Sequence, residues 1–182
     1  MVVCAIFIIL TAVVLASNSR FGNVIILQNL AHDIALSVRS AQVYGIAVRR
    51  CDPNAVTTAC VSGNQFANGY GVHFAPGAGY ELFVDVNDNG LWDPGETVQP
   101  TTIGGGFFIV DVCAPEGSCG RDRVDIVFRR PEPDACISAN DVVTVVDSEC
   151  VATIQRAHII LQSPRDDQAV VVVEGSGQIS VQ

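Results

Sequence analysis

Lysine is missing from this chain. All ten basic residues among its 182 are Arg, so neither a phosphate-cradling loop Lys nor a Schiff-base Lys is present, and the enzyme classes built on them are excluded. Positive charge of any kind is scarce, because Lys+Arg 10 stand against Asp+Glu 19 for a net charge of −9. Without a basic run, the phosphate neutralisation that supplies most nucleic-acid affinity is lacking, and a nucleic-acid partner is not expected. Charged residues are only 16% of the chain against 49% hydrophobic. There is enough apolar surface to offset the entropy of ordering a core, so the chain is not a disordered one.

Catalytic signatures are equally thin. The chain has no H-E-x-x-H, no G-x-S-x-G and no helix-opening G-x-G-x-x-G, the patterns that place a metal, a nucleophile or a pyrophosphate. His32 falls on the polar side of a helical stretch, and His73 and His158 fall in strand-like runs. Gly104-Gly105-Gly106 precedes a strand and reads as a turn, while Asp166 and Asp167 follow Pro164-Arg165 and read as a solvated loop. Nothing here assembles a nucleophile, base and orienter. The expectation is a protein that is not an enzyme.

What the sequence does have begins at its first residue. Met1 to Ala16 carry no charge and no strongly polar side chain beyond Thr11. As a helix this run spans about 24 Å, short of the roughly 30 Å hydrocarbon core. It lacks the basic n-region of a secretory signal. A helix that is apolar all round needs lipid or a packed bundle around it. The run is broken at Ser17, Asn18, Ser19, Arg20 and Gly22, after which a different period sets in. Phe21, Leu27, Leu30, Ala31, Ile34, Val38, Ala41 and Gly45 recur at helical spacing between Gln28, Asn29, His32, Asp33, Ser37, Arg39, Ser40 and Gln42, the pattern of an amphipathic helix. One helix of about fifty residues is therefore expected, a length that points to a coiled coil or a membrane.

After Arg50 the grammar changes to short β-type runs punctuated by Gly, Pro, Asn and Asp. Candidate strands are Gly71 to Phe74, Tyr80 to Val86, Gly106 to Val112, Val124 to Arg129, Ala152 to Leu161, Ala169 to Glu174 and Gln178 to Val181. Gly175-Ser176-Gly177 joins the last two as a hairpin connection. A helix followed by a run of strands predicts an α+β fold, with the amphipathic helix packed on an antiparallel sheet. The predicted organisation is an apolar membrane-spanning or fibre-core helix over residues 1–20 and a globular domain over 21–182, its amphipathic helix at 21–50 and its sheet region at 51–182.

Seven cysteines, none in C-x-x-C spacing, argue against sulfur-ligated metal and for an oxidising compartment. Six fall into sequence-local pairs, Cys51 with Cys60, Cys113 with Cys119 and Cys136 with Cys150, while Cys4 stands alone in the apolar run. Other connectivities are open, and so is a set of buried free thiols packing as small hydrophobes.

The most specific polar motif runs from Asp85 to Glu96 and satisfies D-x-[DN]-x-[DN]-G-x5-E. Oxygens of Asp85, Asn87 and Asn89, the Leu91 carbonyl, Asp93 and a bidentate Glu96 could surround Ca²⁺, a hard cation that takes roughly six to eight oxygens, with Gly90 making the turn. The competing reading is an Asx-rich turn held by its own side-chain-to-backbone bonds, with no metal.

The order of these parts resembles the type IV pilin family, and within it the minor pseudopilins of the GspH/FimT type. Met1 to Val14 is similar to the core of that family's apolar helix, and Leu30 to Val48, with Leu36-Ser37-Val38-Arg39-Ser40-Ala41-Gln42, to its amphipathic continuation. Leu82 to Glu96, Val124 to Phe128 and the Gly175-to-Gly177 hairpin are similar to later parts of the family's sheet domain. The leader, the methylated aromatic residue and the helix Glu of that family have no counterpart here. Met1 aligns partway into the mature helix, and about six more residues would give a comfortable spanning length. The resemblance implies a pilin-like fold and a non-enzymatic structural subunit of a type IV pilus or a type II secretion pseudopilus. It also implies storage in the inner membrane as a single-pass protein with a periplasmic or extracellular domain, and packing against other pilin or pseudopilin subunits through the N-terminal helix. The alternative is a membrane-anchored extracellular binding module, stabilised by calcium, that forms no fibre.

Overall fold

The computed structural model describes residues 2–47, 69–140, 145–146, 149–150 and 154–182, with the backbone alone at 15–21, 145–146 and 149. Its first element is a single helix, α1, over Val2–Ile46. The 45 residues make a rod of about 68 Å, far longer than one face of a domain this size can cover. The helix runs unbroken through Ser17 to Gly22, where the sequence predicts a change of surface within one helix. Polar residues alter the surface of a helix without cancelling its ladder of hydrogen bonds.

Among the described residues, eleven strands follow. One antiparallel sheet holds β1 (Gly69–Phe74), β2 (Gly79–Asp85), β3 (Thr97–Thr102), β5 (Val124–Phe128) and β6 (Ala135–Ala139) in the order β3-β2-β1-β5-β6. A second antiparallel sheet holds β4 (Phe108–Cys113), β9 (Arg156–Gln162), β10 (Gln168–Glu174) and β11 (Ile179–Val181) in the order β11-β10-β9-β4. A two-residue pair, β7 (Val145–Val146) with β8 (Glu149–Cys150), stands apart. The fold is α+β, as the order of elements predicts.

The sequence pattern missed the short β7–β8 pair, and it missed β3 and β6 for opposite reasons. Thr-Val-Gln-Pro-Thr-Thr has no apolar alternation because β3 is an edge strand, where Pro100 is tolerated. Ala-Cys-Ile-Ser-Ala in β6 is buried throughout but built of small residues with little strand signal.

Period-2 alternation separates the first sheet's two faces. Tyr70, Val72 and Phe74 of β1, Tyr80, Leu82 and Val84 of β2, and Val124, Ile126 and Phe128 of β5 are all buried. Between them α1 inserts Leu27, Ala31, Ile34, Val38 and Ala41, each at most 1% exposed. Ala157, Ile159, Leu161, Val171 and Val173 of the second sheet complete the same core. The apolar stripe read from the sequence is thus the buried stripe, apart from Leu30, which is only partly buried, and Phe21, whose side chain lies outside the described residues.

The helix is seated at its C-terminal end by close approach. A Cβ on Gly45 would lie 2.3 Å from the Phe128 carbonyl oxygen. Gln42, buried one turn earlier, donates from Nε2 to the Pro133 carbonyl at 2.9 Å and the Gly177 carbonyl at 3.1 Å. That bond holds the β10–β11 hairpin tip to α1, and Gly177, at φ 79°, makes the turn.

Within a helix Gly→Ala ordinarily gains roughly 1 kcal/mol. Gly45→Ala is expected to do the reverse and lose about 2 kcal/mol through overpacking. Urea denaturation of the variant, read at an unchanged m-value, checks this.

Candidate functional site

The outer face of the first sheet collects the polar groups that the inner face excludes. Asp85 ends β2, Asp125 lies in β5, His73 in β1, and Arg129 follows β5. The segment Asp85–Glu96 leaves β2 and returns just before β3, so the candidate cation loop is a β-to-β connection with no flanking helix.

Its oxygens are already engaged. Asp85, buried, accepts from the Asn89 N–H through Oδ1 at 3.1 Å and from the Gly90 N–H through Oδ2 at 2.8 Å. The same Oδ2 receives the Arg129 guanidinium, whose other nitrogen reaches Asp88 at 3.0 Å. Glu96, also buried, accepts from the Val86 N–H at 2.9 Å and the Asp93 N–H at 3.1 Å, one with each oxygen. Asp93 Oδ2 takes the side-chain amides of Asn87 and Asn89, both at 2.8 Å. The amide oxygens of those two residues cap the N–H groups of Asn89 and Leu91.

This arrangement is the Asx-rich turn of the competing reading. Asp85, Asn87, Asn89, Leu91, Asp93 and Glu96 share one loop, but no three of its carboxylates offer oxygens within 4.8 Å of one another. Arg129 supplies the positive charge at the turn's base. As arranged, the loop's carboxylate oxygens accept from its own N–H groups, from its Asn amides and from Arg129. The described acidic and sulfur group that does converge is Asp111 with Cys113 and Cys119, and those sulfurs are joined to each other.

Electrostatics follow from burial. Loss of solvent raises the Asp85 carboxyl above its ordinary range, against the pull of Arg129. Loss of solvent likewise pushes Glu96 from 4.5 up to about 7, against its two backbone donors and with the nearby charges of Asp85 and Asp93 adding to the rise.

Sequence reasoning did not find a second cluster on the same face. His73 Nδ1 lies 2.6 Å from Asp125 Oδ1, and the Trp92 ring stacks on the imidazole at 4.5 Å. Among the described residues, Asp125 Oδ2 is buried without a hydrogen-bond partner, 3.7 Å from Arg123 Nε. Trp92 Nε1 donates to Thr97 at 2.9 Å, and Thr97 in turn donates to Glu81. The network fastens the tip of the loop to β1, β5 and β3. His73 and Asp125 are register partners across β1 and β5, a pairing that only the assembled sheet reveals.

Of the expected cysteine pairs, Cys113–Cys119 and Cys136–Cys150 are bonded. Cys51 and Cys60 lie outside the described residues. Cys4 is an exposed free thiol on α1.

The other candidate surface is the helix itself. Val2, Val3, Ile6, Phe7, Ile8, Ile9, Leu10, Val13 and Val14 are 52% to 73% exposed, on every side of α1. Among the described residues, no helix is long and apolar enough to cross a membrane. Comparison with protein-family models, with curated proteins and with solved structures finds no match to the chain.

Arg129→Met leaves Asp85 buried without its counter-charge and is expected to cost about 3 kcal/mol. Adding Asp85→Asn should return part of that loss in a double-mutant cycle. With Arg129 in place, the melting midpoint is expected to be the same in EDTA and in millimolar calcium, since a cation bound only by the folded chain would raise it.

A second expectation concerns pH. Because Glu96 holds its proton more tightly folded than unfolded, the folded chain binds more protons between about 4.5 and 7. Stability then falls as pH rises through that window, by at most about 1.4 kcal/mol per pH unit. Denaturant titrations at several pH values in EDTA should show this slope, and Glu96→Gln should flatten it.

Proposed function

We propose that this chain is a structural subunit of a helical fibre, a minor pilin or pseudopilin of a type IV pilus or type II secretion pseudopilus, held in the inner membrane before assembly. One observation carries the reading. A single continuous helix is buried on one face from Leu27 to Ala41 and uncovered from Val2 to Val14.

The physics of that contrast is direct. Fully burying one large aliphatic or aromatic side chain is worth roughly 1.5–3 kcal/mol. The exposed residues between Val2 and Val14 therefore hold a driving force on the order of 10 kcal/mol for covering this segment. Lipid or like helices can supply the cover. Copies of the same helix do so without requiring the segment to span a bilayer alone, and repeated heterologous packing that does not close makes a filament. The domain at the other end of α1 stays outside the helical core and presents its sheets and its arginine-closed loop to solvent. Disulfides in that domain suit an oxidising compartment. No catalytic step is assigned, and the partners are other subunits of the same kind.

A charge placed in the uncovered segment tests this. Ile9→Arg should abolish recovery of the protein in sheared filaments from cells that assemble them, while the domain's thermal unfolding stays as in the parent chain. Filaments that incorporate the variant at parental levels would sink the proposal. Detergent-extracted parent monomers that never enter filaments would favour an anchored binding module in its place.

A further inference from the structure

Among the described residues, the second sheet ends in an edge open to pairing, and no strand pairs with the outer side of β11. Its inner side is set by the exchange of hydrogen bonds between Val170 and Gln182, both at 2.9 Å, and by the Glu174 N–H donating to the Gln178 carbonyl. Alternate residues of an antiparallel strand bond to opposite sides. The backbone groups of Ile179 and Val181, which are register partners of Val173 and Val171, therefore point away from β10.

Beside this edge runs a groove of about 650 Å³ between the β10–β11 hairpin and α1. The helix contributes His32, Ala35, Leu36, Arg39 and Gln42, and the hairpin contributes Ser176 to Ile179. Leu36 is 63% exposed there. From His32 to Gln42 the groove wall is about 15 Å long, the length of four to five residues of roughly 3.3 Å extended strand.

The groove's charge is opposite to the protein's. Its ionisable lining groups are His32 and Arg39, with no carboxylate, in a chain of net charge −9. Glu132 and Asp134 are exposed beside Pro133, at the end walled by Gln42. They leave Arg39, whose Nη1 also donates to Gln42 Oε1 at 2.6 Å, as the group that attracts negative charge.

We infer that this groove is a docking site for an extended, acidic segment of a partner protein, which adds a strand to the free edge of β11 and sets its carboxylates against Arg39 and His32. Main-chain bonds to Ile179 and Val181 would give affinity, and the basic helix wall would give selectivity. This site is independent of whether the uncovered half of α1 builds a fibre.

The test uses the full chain in non-ionic detergent micelles and a short fluorescent peptide of alternating Glu and Val, with a matched peptide carrying Lys for Glu. The acidic peptide is expected to bind, and more weakly as salt rises. Arg39→Glu should weaken it by about tenfold or more, which is about 1.4 kcal/mol. Ile179→Pro removes an N–H that β10 does not use, and should abolish binding. Hydrogen exchange should show the Ile179 and Val181 amides becoming protected when the peptide is added. Arg39 is exposed, so its variant keeps the test informative if Ile179→Pro fails to fold. Failure of the acidic peptide to bind, equal binding of the Lys peptide, or binding that survives a folded Ile179→Pro would overturn the inference. Self-association of the parent chain that Ile179→Pro abolishes would overturn it too, by identifying a second copy as the occupant.

Discussion

Everything in the domain depends on one row of small and medium apolar residues on α1. Leu27, Ala31, Ile34, Val38 and Ala41 share one core with residues of both sheets, so the row helps to bind layers that share no strand. Two of its five members are Ala, which lets the helix backbone come close to the sheet, and Gly45 continues the trend to direct contact with the Phe128 carbonyl. Larger residues at these places would lift the helix and open the core from one end.

On the far side of the first sheet the problem is electrostatic. Asp85 and Asp125 both lie fully buried on that face, and a buried carboxylate is stable only with charge or donors around it. Arg129 serves Asp85, and His73 and Arg123 serve Asp125. Arginine suits this work because its planar fork bridges two acceptors at once, as Arg129 does with Asp85 and Asp88. A chain without lysine is thus well supplied with the cation its turns require. The loop so closed is stiffened at its tip by Trp92, which lies flat on His73, and Gly71 leaves room for the Phe83 ring to cross β1 nearby.

Much of this is legible in the sequence, and the illegible parts share one cause. The helix is readable because its buried residues repeat with the helical period, and the bonded pairs Cys113–Cys119 and Cys136–Cys150 are readable because each closes a short loop. The Asp85–Glu96 loop is readable as a set of ligand-type residues but not as a structure. Its decisive partner, Arg129, reaches it only through the pairing of β1 with both β2 and β5. The same pairing creates the His73–Asp125 contact from residues that look unrelated along the chain. Local spacing reports what a segment offers, and sheet register decides what it meets. The edge strand β3 escapes notice because exposure removes the alternation that would announce it.

The Gln42 bond to Gly177 has a consequence in time as well as in space. It joins an element near the chain's start to a turn near its end, and every strand that covers the α1 stripe is encoded after it. At roughly 5–20 residues per second of synthesis, the interval between the appearance of Gln42 and that of Gly177 is on the order of ten seconds. Through the first part of that interval, until the strands between Gly69 and Ala139 have emerged, the helix has no sheet to lie on. Whatever receives the nascent chain therefore meets the helix alone and first, and the last hairpin to emerge is the latch that ends its availability.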